Sequence, residues 1–378
     1  MKEINIIGMG MSEKTLTREA LDLISEADIL IGAKRLINEF AYMKKPSFNA
    51  YLSNDILEII EKTDSEKIAI LVSGDVGFYS AAEKLVDVLK DYNPNLISGI
   101  SSVSYFFAKC SLPWKDANLI SCHGLDTNIV SSVRRNRYTF ALTGKNIPEL
   151  QNELIKYGFG DLKVWIGENL GSNEESVQES IISDLGGKEF SSLTVLIIEN
   201  PDFDSRIRTG IPDEEFIRGK VPMTKSEVRA VCLSKLSLSP SDTAYDGKVY
   251  AFDKNEEAIS LLEQNCQKFH LDNVEAICGL APECLKDLPV PDVAFIGGSS
   301  GNMDEIVSYL YGINSKIKLV ITAVTLENAM AALDSLKNIG IKSDIVQVAV
   351  SKGRGIGELH MLIAQNPIFI ISGSGHDE

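Results

Sequence analysis

The feature that most constrains this chain is a series of near-continuous apolar runs, each followed by an amphipathic stretch. "EINIIG" (3–8), "ADILIG" (27–32), "KIAILVS" (67–73) and "LTVLIIE" (193–199) are short, rich in β-branched residues and apolar at successive positions. Strands of this kind are covered on both faces, as in sheets crossed by helices. "NLIS" (95–98), "NLISCHG" (118–124), "YTFALTG" (138–144) and "LKVWIGE" (162–168) continue the series. "SAAEKLVDVLKDY" (80–92) and "NIPELQNELIKYG" (146–158) carry helical spacing, and Gly158 is placed to end the second helix. The class is α/β.

A stretch rich in Pro, Gly and charge, "ENPDFDSRIRTGIPDEEFIRGKVP" (199–222), breaks the series. The expected domain boundary lies near 205–212. A second α/β run follows, opening on a helix "TKSEVRAVCLSKL" (224–236), with Thr224 and Glu227 at capping-box spacing. "VYAF" (249–252), "VEAI" (274–277), "DVAFIGG" (292–298) and "KIKLVITAV" (316–324) read as strands. The last two runs, "DIVQVAVSK" (344–352) and "HMLIAQNPIFIISG" (360–373), have no helix between them and imply an antiparallel closing pair.

The chain of 378 residues has a net charge of -16, which argues against nucleic acid or an anionic membrane as the main partner. Six cysteines form no CxxC pair, and with four histidines no metal site is expected. No apolar run approaches the roughly 18–20 residues that span a bilayer. "MKEINIIGMG" enters a strand without a basic, then apolar, leader. The expectation is a soluble, cytoplasmic protein.

Glycines cluster at strand ends, where α/β proteins bind ligands. "GMGMSEKTL" (8–16) supplies Gly8 and Gly10, but Glu13 stands where a dinucleotide fingerprint needs its third glycine. A nicotinamide site is disfavoured, and a simple tight turn stays open. "LVSGDVGFYS" (71–80) offers Gly74 and Asp75, an acid suited to hydroxyl or ammonium groups. "SGISSVSYFFAKCSLPW" (98–114) offers Gly99, Ser101 and Ser102, where a serine also suits a helix cap. His123, in "SCHG", is either a site residue or a structural histidine.

Together "INIIGMG", "LVSGDVGFYS", "GISSVSYFFAKCSLPWKDANLISCHG" and "VWIGENLGSNEESV" resemble the tetrapyrrole methylases, in their cobalt-precorrin C5-methyltransferase branch. The resemblance covers about residues 1–205. It implies two α/β subdomains, about 1–114 and 115–205, with S-adenosyl-L-methionine held between them largely by backbone. Carried over by motif, the cofactor residues are Gly8, Gly10, Gly74, Asp75, Ser101 and Ser102, with Leu142 and Thr143 of "FALTG" at the adenosyl group. Val76 departs from the family, which has proline there.

Over about 211–373, "GIPDEEFIRGKVPMTKSEVRA" and "SKGRGIGELHMLIAQNPIFIISG" resemble the decarboxylating precorrin C15-methyltransferases, a Rossmann-like methyltransferase family. The two activities commonly occur fused in this order. The resemblance implies cofactor contacts at Thr224, at Asp253 for the ribose hydroxyls, and at Ala281 beside the adenine. Asp253 alone also reads as an acid near a helix start.

The flanks of Asp246–Gly247 match this family, but its D-x-G-x-G-x-G loop and first helix are absent. "SDTAYDGKVYAFDKN" (241–255) passes from one apolar run to the next across two residues, whereas parallel strands need a crossover of about a dozen or more. Three readings stand: residues omitted at this join, a true deletion, or a hairpin in a rewired domain. Omission is preferred, because a hairpin would reverse the next strand and displace Asp253.

The implied substrate, a precorrin or cobalt-precorrin, carries many carboxylates, so an acidic chain needs local cations. The candidates are Arg134, Arg135 and Arg137 of "SSVRRNRY", Lys220 and Lys225, and Lys352 with Arg354 of "SKGRG", foremost Arg134, Arg135, Lys225 and Arg354, with His123 at a strand end. Each basic cluster also reads as an ordinary solvated face. No residue identifies itself as a general base. The expected function is methylation of C5 by the first domain, and of C15 with decarboxylation by the second, in a chain expected to self-associate. The rivals are a chain with only the C5 activity and a non-catalytic corrinoid-binding module.

Overall fold

A computed structural model describes residues 2–122, 128–144, 146–206, 210–238, 248–298 and 301–375. The chain forms two compact units, Met1–Ser205 and Arg206–Glu378. His123, Asp246 and Gly247 lie outside the described residues.

The first unit holds two sheets. Strands β1 (Glu3–Gly8), β2 (Ile29–Gly32), β3 (Ser47–Asn49), β4 (Lys67–Val72) and β5 (Asn95–Ile97) form a parallel sheet in the order β3-β2-β4-β1-β5. Period-two alternation gives this sheet two buried faces. Ile4, Ile6, Ile68 and Ile70 pack on helices Ser53–Lys62 and Ala82–Val88. Ile7, Ala69 and Leu71 pack with Ala20 and Ile24 of helix Arg18–Glu26. Burying one such aliphatic side chain stabilises by about 1.5–3 kcal/mol. Helix Arg18–Glu26 starts where the Thr17 side chain accepts from the Ala20 amide.

The second sheet comprises β6 (Asn118–Ser121), β7 (Tyr138–Leu142), β8 (Lys163–Glu168), β9 (Ser176–Ile181) and β10 (Thr194–Glu199), ordered β6-β7-β10-β8-β9. Only β6 and β7 are parallel; the other pairings are antiparallel. One face packs on helices Ile129–Arg135 and Ile147–Lys156. The other receives Phe106 and Phe107 of helix Ser102–Lys109 against Phe140, Trp165 and Ile197. Gly158, with φ of 83°, ends helix Ile147–Lys156 as expected.

In the second unit β11 (Val249–Asp253) pairs in parallel with β12 (Val274–Cys278). Strands β13 (Val293–Ile296), β14 (Lys318–Ala323) and β15 (Ser343–Val348) come next, followed by β16 (Ser351–Ile356), β17 (Leu359–Ala364) and β18 (Ile368–Ser374). The larger sheet runs β13-β14-β18-β15, with β18 antiparallel to both neighbours. The closing antiparallel pair is therefore present, but an extra hairpin, β16–β17, interrupts it. All twelve hairpin residues are exposed, although β17, "LHMLIA", is apolar and reads in the sequence as the start of the closing run.

The first helix of this unit is Ser226–Leu236 with Lys225 at its cap, not Thr224 as the capping-box spacing suggested. The Thr224 carbonyl instead accepts from the Arg229 guanidinium. Arg229 also donates to the Ile211 carbonyl and to Asp213 Oδ1 at 2.8 Å. This ties the segment before the helix to the helix itself. Farther along that segment, Ile217 donates to Asn265 Oδ1 on helix Glu256–Lys268, at 2.8 Å.

Candidate functional site

In the first unit the C-terminal ends of β4, β1 and β5, neighbours in the sheet, come together main chain against main chain. A Cβ built on Gly8 would lie 2.7 Å from the Gly74 oxygen and 2.8 Å from the Gly99 nitrogen. Gly10 and Gly74 exchange two hydrogen bonds, 3.0 and 3.1 Å, and both take left-handed φ, 62° and 68°. L-residues with side chains resist that region, so glycine is favoured at both positions, and at Gly10 a Cβ would also meet Thr15 Oγ1 at 2.6 Å.

Asp75 fixes the loop that follows. Its Oδ1 accepts from the Gly77 amide at 2.8 Å and its Oδ2 from the Gly99 amide at 3.1 Å. The side chain thus joins two of the converging segments and keeps only its remaining lone pairs for a ligand. Ser101 caps helix Ser102–Lys109, its hydroxyl accepting from the Ser104 amide at 3.2 Å. Ser102 opens that helix.

The turn after β1 turns its first amides inward, onto the protein itself. Met11 and Ser12 both donate to Thr15 Oγ1, at 2.8 and 3.0 Å, and Glu13 donates to Glu39 Oε2 at 2.8 Å. The Gly10 amide is bonded to Gly74. An anion-binding nest needs such amides free, so a phosphate finds no cradle here. An uncharged or cationic group suits the turn better.

Leu142 ends β7, and Thr143, 2% exposed, donates its hydroxyl to the Thr194 carbonyl at 2.8 Å. Arg134 and Arg135 close helix Ile129–Arg135 and are half-buried. Val76 packs against the apolar core of the first sheet.

One loop of the second sheet reaches the glycine turn. A Cβ on Gly171 would stand 2.4 Å from the Met11 Cβ, and Lys14 Nζ lies 3.5 Å from Asn173 Oδ1. Glu175 holds this loop: its carboxylate accepts from Tyr105 Oη, Lys109 Nζ and the Gly171 amide at 2.6, 2.6 and 2.7 Å. Burial pushes the Glu175 carboxyl up, but hydrogen bonds from Lys109, Tyr105 and Gly171 outweigh it and hold it down at about 2. Nothing in the local sequence "GENLGSNEESV" singles out Glu175, because its partners lie 66 and 70 residues away.

In the second unit Asp253 and Ala281 come to neighbouring strand ends. Asp253 ends β11; its carbonyl accepts from Gly279 at 3.1 Å and its Oδ1 from the Asn255 amide at 2.8 Å. Asn255 caps helix Glu256–Lys268, so Asp253 supports a helix start while remaining exposed. The Ala281 carbonyl accepts from Asn302 Nδ2 at 3.4 Å. Because β11 runs parallel to β12, Asp253 and Cys278 stand together at the C-terminal edge of the pair.

Lys225 Nζ lies 3.9 Å from the buried Asp213 carboxylate. Arg354 sits in the exposed strand β16, opposite Met361. Two residues earlier, Lys352 pairs with Glu227 at 3.1 Å, bringing the hairpin to the helix start beside Lys225. Among the described residues no cluster of His, Cys, Asp and Glu could hold a metal, and no helix is long and apolar enough to cross a membrane.

The two halves match two family models. Residues 3–186 match Tetrapyrrole (Corrin/Porphyrin) Methylases, and residues 242–373 match the Precorrin methyltransferase domain. Tetrapyrrole methylases use S-adenosylmethionine. A probable cobalt-precorrin-6B C(15)-methyltransferase (decarboxylating) of Sulfolobus acidocaldarius is 38% identical over 189 residues, covering 43% of this chain and 96% of that protein. The protein of the same name from Methanothermobacter thermautotrophicus is 34% identical over 191 residues, covering 44% and 98%. A solved precorrin-6y C5,15-methyltransferase from Geobacter metallireducens is 34% identical, covering 44% of this chain and 97% of that one, with a TM-score of 0.40.

The Sulfolobus alignment runs over 189 residues, while 43% of 378 is about 163. About 26 of its positions therefore have no counterpart in this chain. The chain belongs to the precorrin methyltransferases, with a tetrapyrrole methylase domain in its first half and a precorrin methyltransferase domain in its second.

Proposed function

We propose that the chain is a fused precorrin-6Y C5,15-methyltransferase (decarboxylating) of cobalamin biosynthesis. The first domain, 1–205, methylates C5. The second, 211–373, methylates C15 and removes the carboxyl of the ring C acetate. The observation that carries this reading is the order of the two family matches, together with relatives of the second half named as decarboxylating C15-methyltransferases.

S-adenosylmethionine supplies, when bound, a sulfonium methyl that is already activated. The protein's task is then to position the acceptor carbon and exclude water. In the first domain Gly8, Gly10, Gly74 and Asp75, with Ser101, Ser102, Leu142 and Thr143, hold the cofactor. The satisfied turn amides favour a cationic sulfonium ligand over a phosphate. In the second, Thr224, Asp253 and Ala281 are the cofactor residues. Arg134, Arg135, Lys225 and Arg354, with His123, receive the carboxylates of the macrocycle. The enzyme works in the cytoplasm as a homo-oligomer, which light scattering checks.

A second reading is favoured by the roughly 26 positions without counterpart, which we place at 246/247. With its glycine-rich loop lost there, only the C5 activity remains. Titration with S-adenosylhomocysteine separates the two: two sites per chain support the bifunctional enzyme, one site the C5 enzyme alone. If labelled S-adenosylmethionine transfers no methyl group to a bound precorrin, both fail and a corrinoid-binding module is left.

A further inference from the structure

We propose that Glu175 is a positioning residue for the methyl-donor site of the first unit, holding loop Asn169–Glu175 against the glycine turn. The inference rests on reading the Gly8–Gly74–Gly99 junction as that site.

The loop belongs to the second sheet, yet it meets the turn of the first at Met11 and Lys14. Asn169 and Gly171 adopt left-handed φ, 48° and 76°, and the strain at Asn169 persists only if surrounding contacts enforce it. Several do. Asn169 donates from its amide to the Leu193 carbonyl at 3.0 Å and accepts from Ser191 Oγ at 2.8 Å. Glu175 then bends the far end back onto the Gly171 amide at 2.7 Å. Gly171 meets Met11 with no room for a side chain.

The same carboxylate takes Tyr105 and Lys109 from helix Ser102–Lys109, the helix that Ser101 caps at the end of β5. Lys109 also lies over the Tyr105 ring, 5.1 Å from its centroid. One side chain thus ties the loop that covers the turn to the helix starting after the third converging segment. With three donors bound, Glu175 has no part in proton transfer; it acts through the geometry of others.

The test is hydrogen–deuterium exchange on the full chain, titrated with S-adenosylhomocysteine and followed in peptides spanning 8–16 and 169–175. Steady-state kinetics with S-adenosylmethionine accompany it. In the wild type both peptides are expected to gain protection together. Glu175→Gln places an amide among three donors and is expected to shift the protection midpoint about tenfold, raising KM far more than it lowers kcat. Tyr105→Phe, which removes one hydroxyl and keeps the packing, is expected to shift it less in the same direction. Unchanged midpoints in both variants, or a lower melting temperature with KM unmoved, would overturn the proposal. If the wild type shows no ligand protection of 8–16, the site reading itself fails.

Discussion

A methyl group on Gly99 would stand 2.5 Å from the carbonyl oxygen of Gly8, and 2.4 Å from that of Gly74. Neither neighbour is a side-chain end able to swing away; both are main chain in or beside the sheet. Gly99→Ala is expected to destabilise the first unit by about 1–3 kcal/mol and to weaken cofactor binding. Urea denaturation followed by tryptophan fluorescence measures the first effect, because Trp114 and Trp165 both lie in that unit.

Asp75 joins the amides of Gly77 and Gly99. Asp75→Ala leaves two donors without their acceptor and is expected to cost about 1–3 kcal/mol. Asp75→Asn keeps one oxygen and is expected to cost less. Faster amide exchange at Gly77 and Gly99 in the alanine variant checks the assignment; unchanged exchange contradicts it.

Glu175 is held at about 2, below its ordinary value of 4.5. A carboxyl depressed on folding contributes stability that is complete above the unfolded value and lost as pH falls through the folded one. The first unit is therefore expected to lose on the order of 3 kcal/mol between pH 4.5 and 2 from this group. Urea midpoints across that range should fall more steeply in the wild type than in Glu175→Gln.

Arg229 and Asp213 form an ion pair whose acid is 4% exposed, with the guanidinium also over the Phe216 ring. Removing one member of such a pair strands the other. Arg229→Met is expected to cost the second unit about 3–5 kcal/mol. Circular dichroism should then show an early transition that tryptophan fluorescence does not.

The two-faced strands were legible because their burial is written as composition: β4 is apolar at five of six positions and β10 at four consecutive ones. Strand β9, "SVQESI", was not, since an edge strand needs no apolar side chains to pair; the β16–β17 hairpin was not separated from the closing run, because β17 is itself apolar, "LHMLIA", and leads on towards β18. Backbone-dependent positions such as Gly8, Gly10 and Gly74 could be read locally, because a positive φ or a close approach leaves only glycine. Glu175 and Arg229 could not. Their roles depend on partners that only the folded chain brings near. Thr224 shows the reverse error, a local capping signal overruled by Arg229, which takes its carbonyl. For Asp75 the acid was visible, but not that both its oxygens serve the protein's own amides.

The meeting of Gly8, Gly74 and Gly99 also bears on how this site responds to inhibitors. Its floor is main chain, and main chain keeps the same atoms whatever side chains are exchanged elsewhere. A compound that reads those peptide groups meets a surface that point substitution alters only by breaking the junction. If the junction holds the methyl donor as proposed, resistance by single replacements at the floor therefore carries a loss of the site itself.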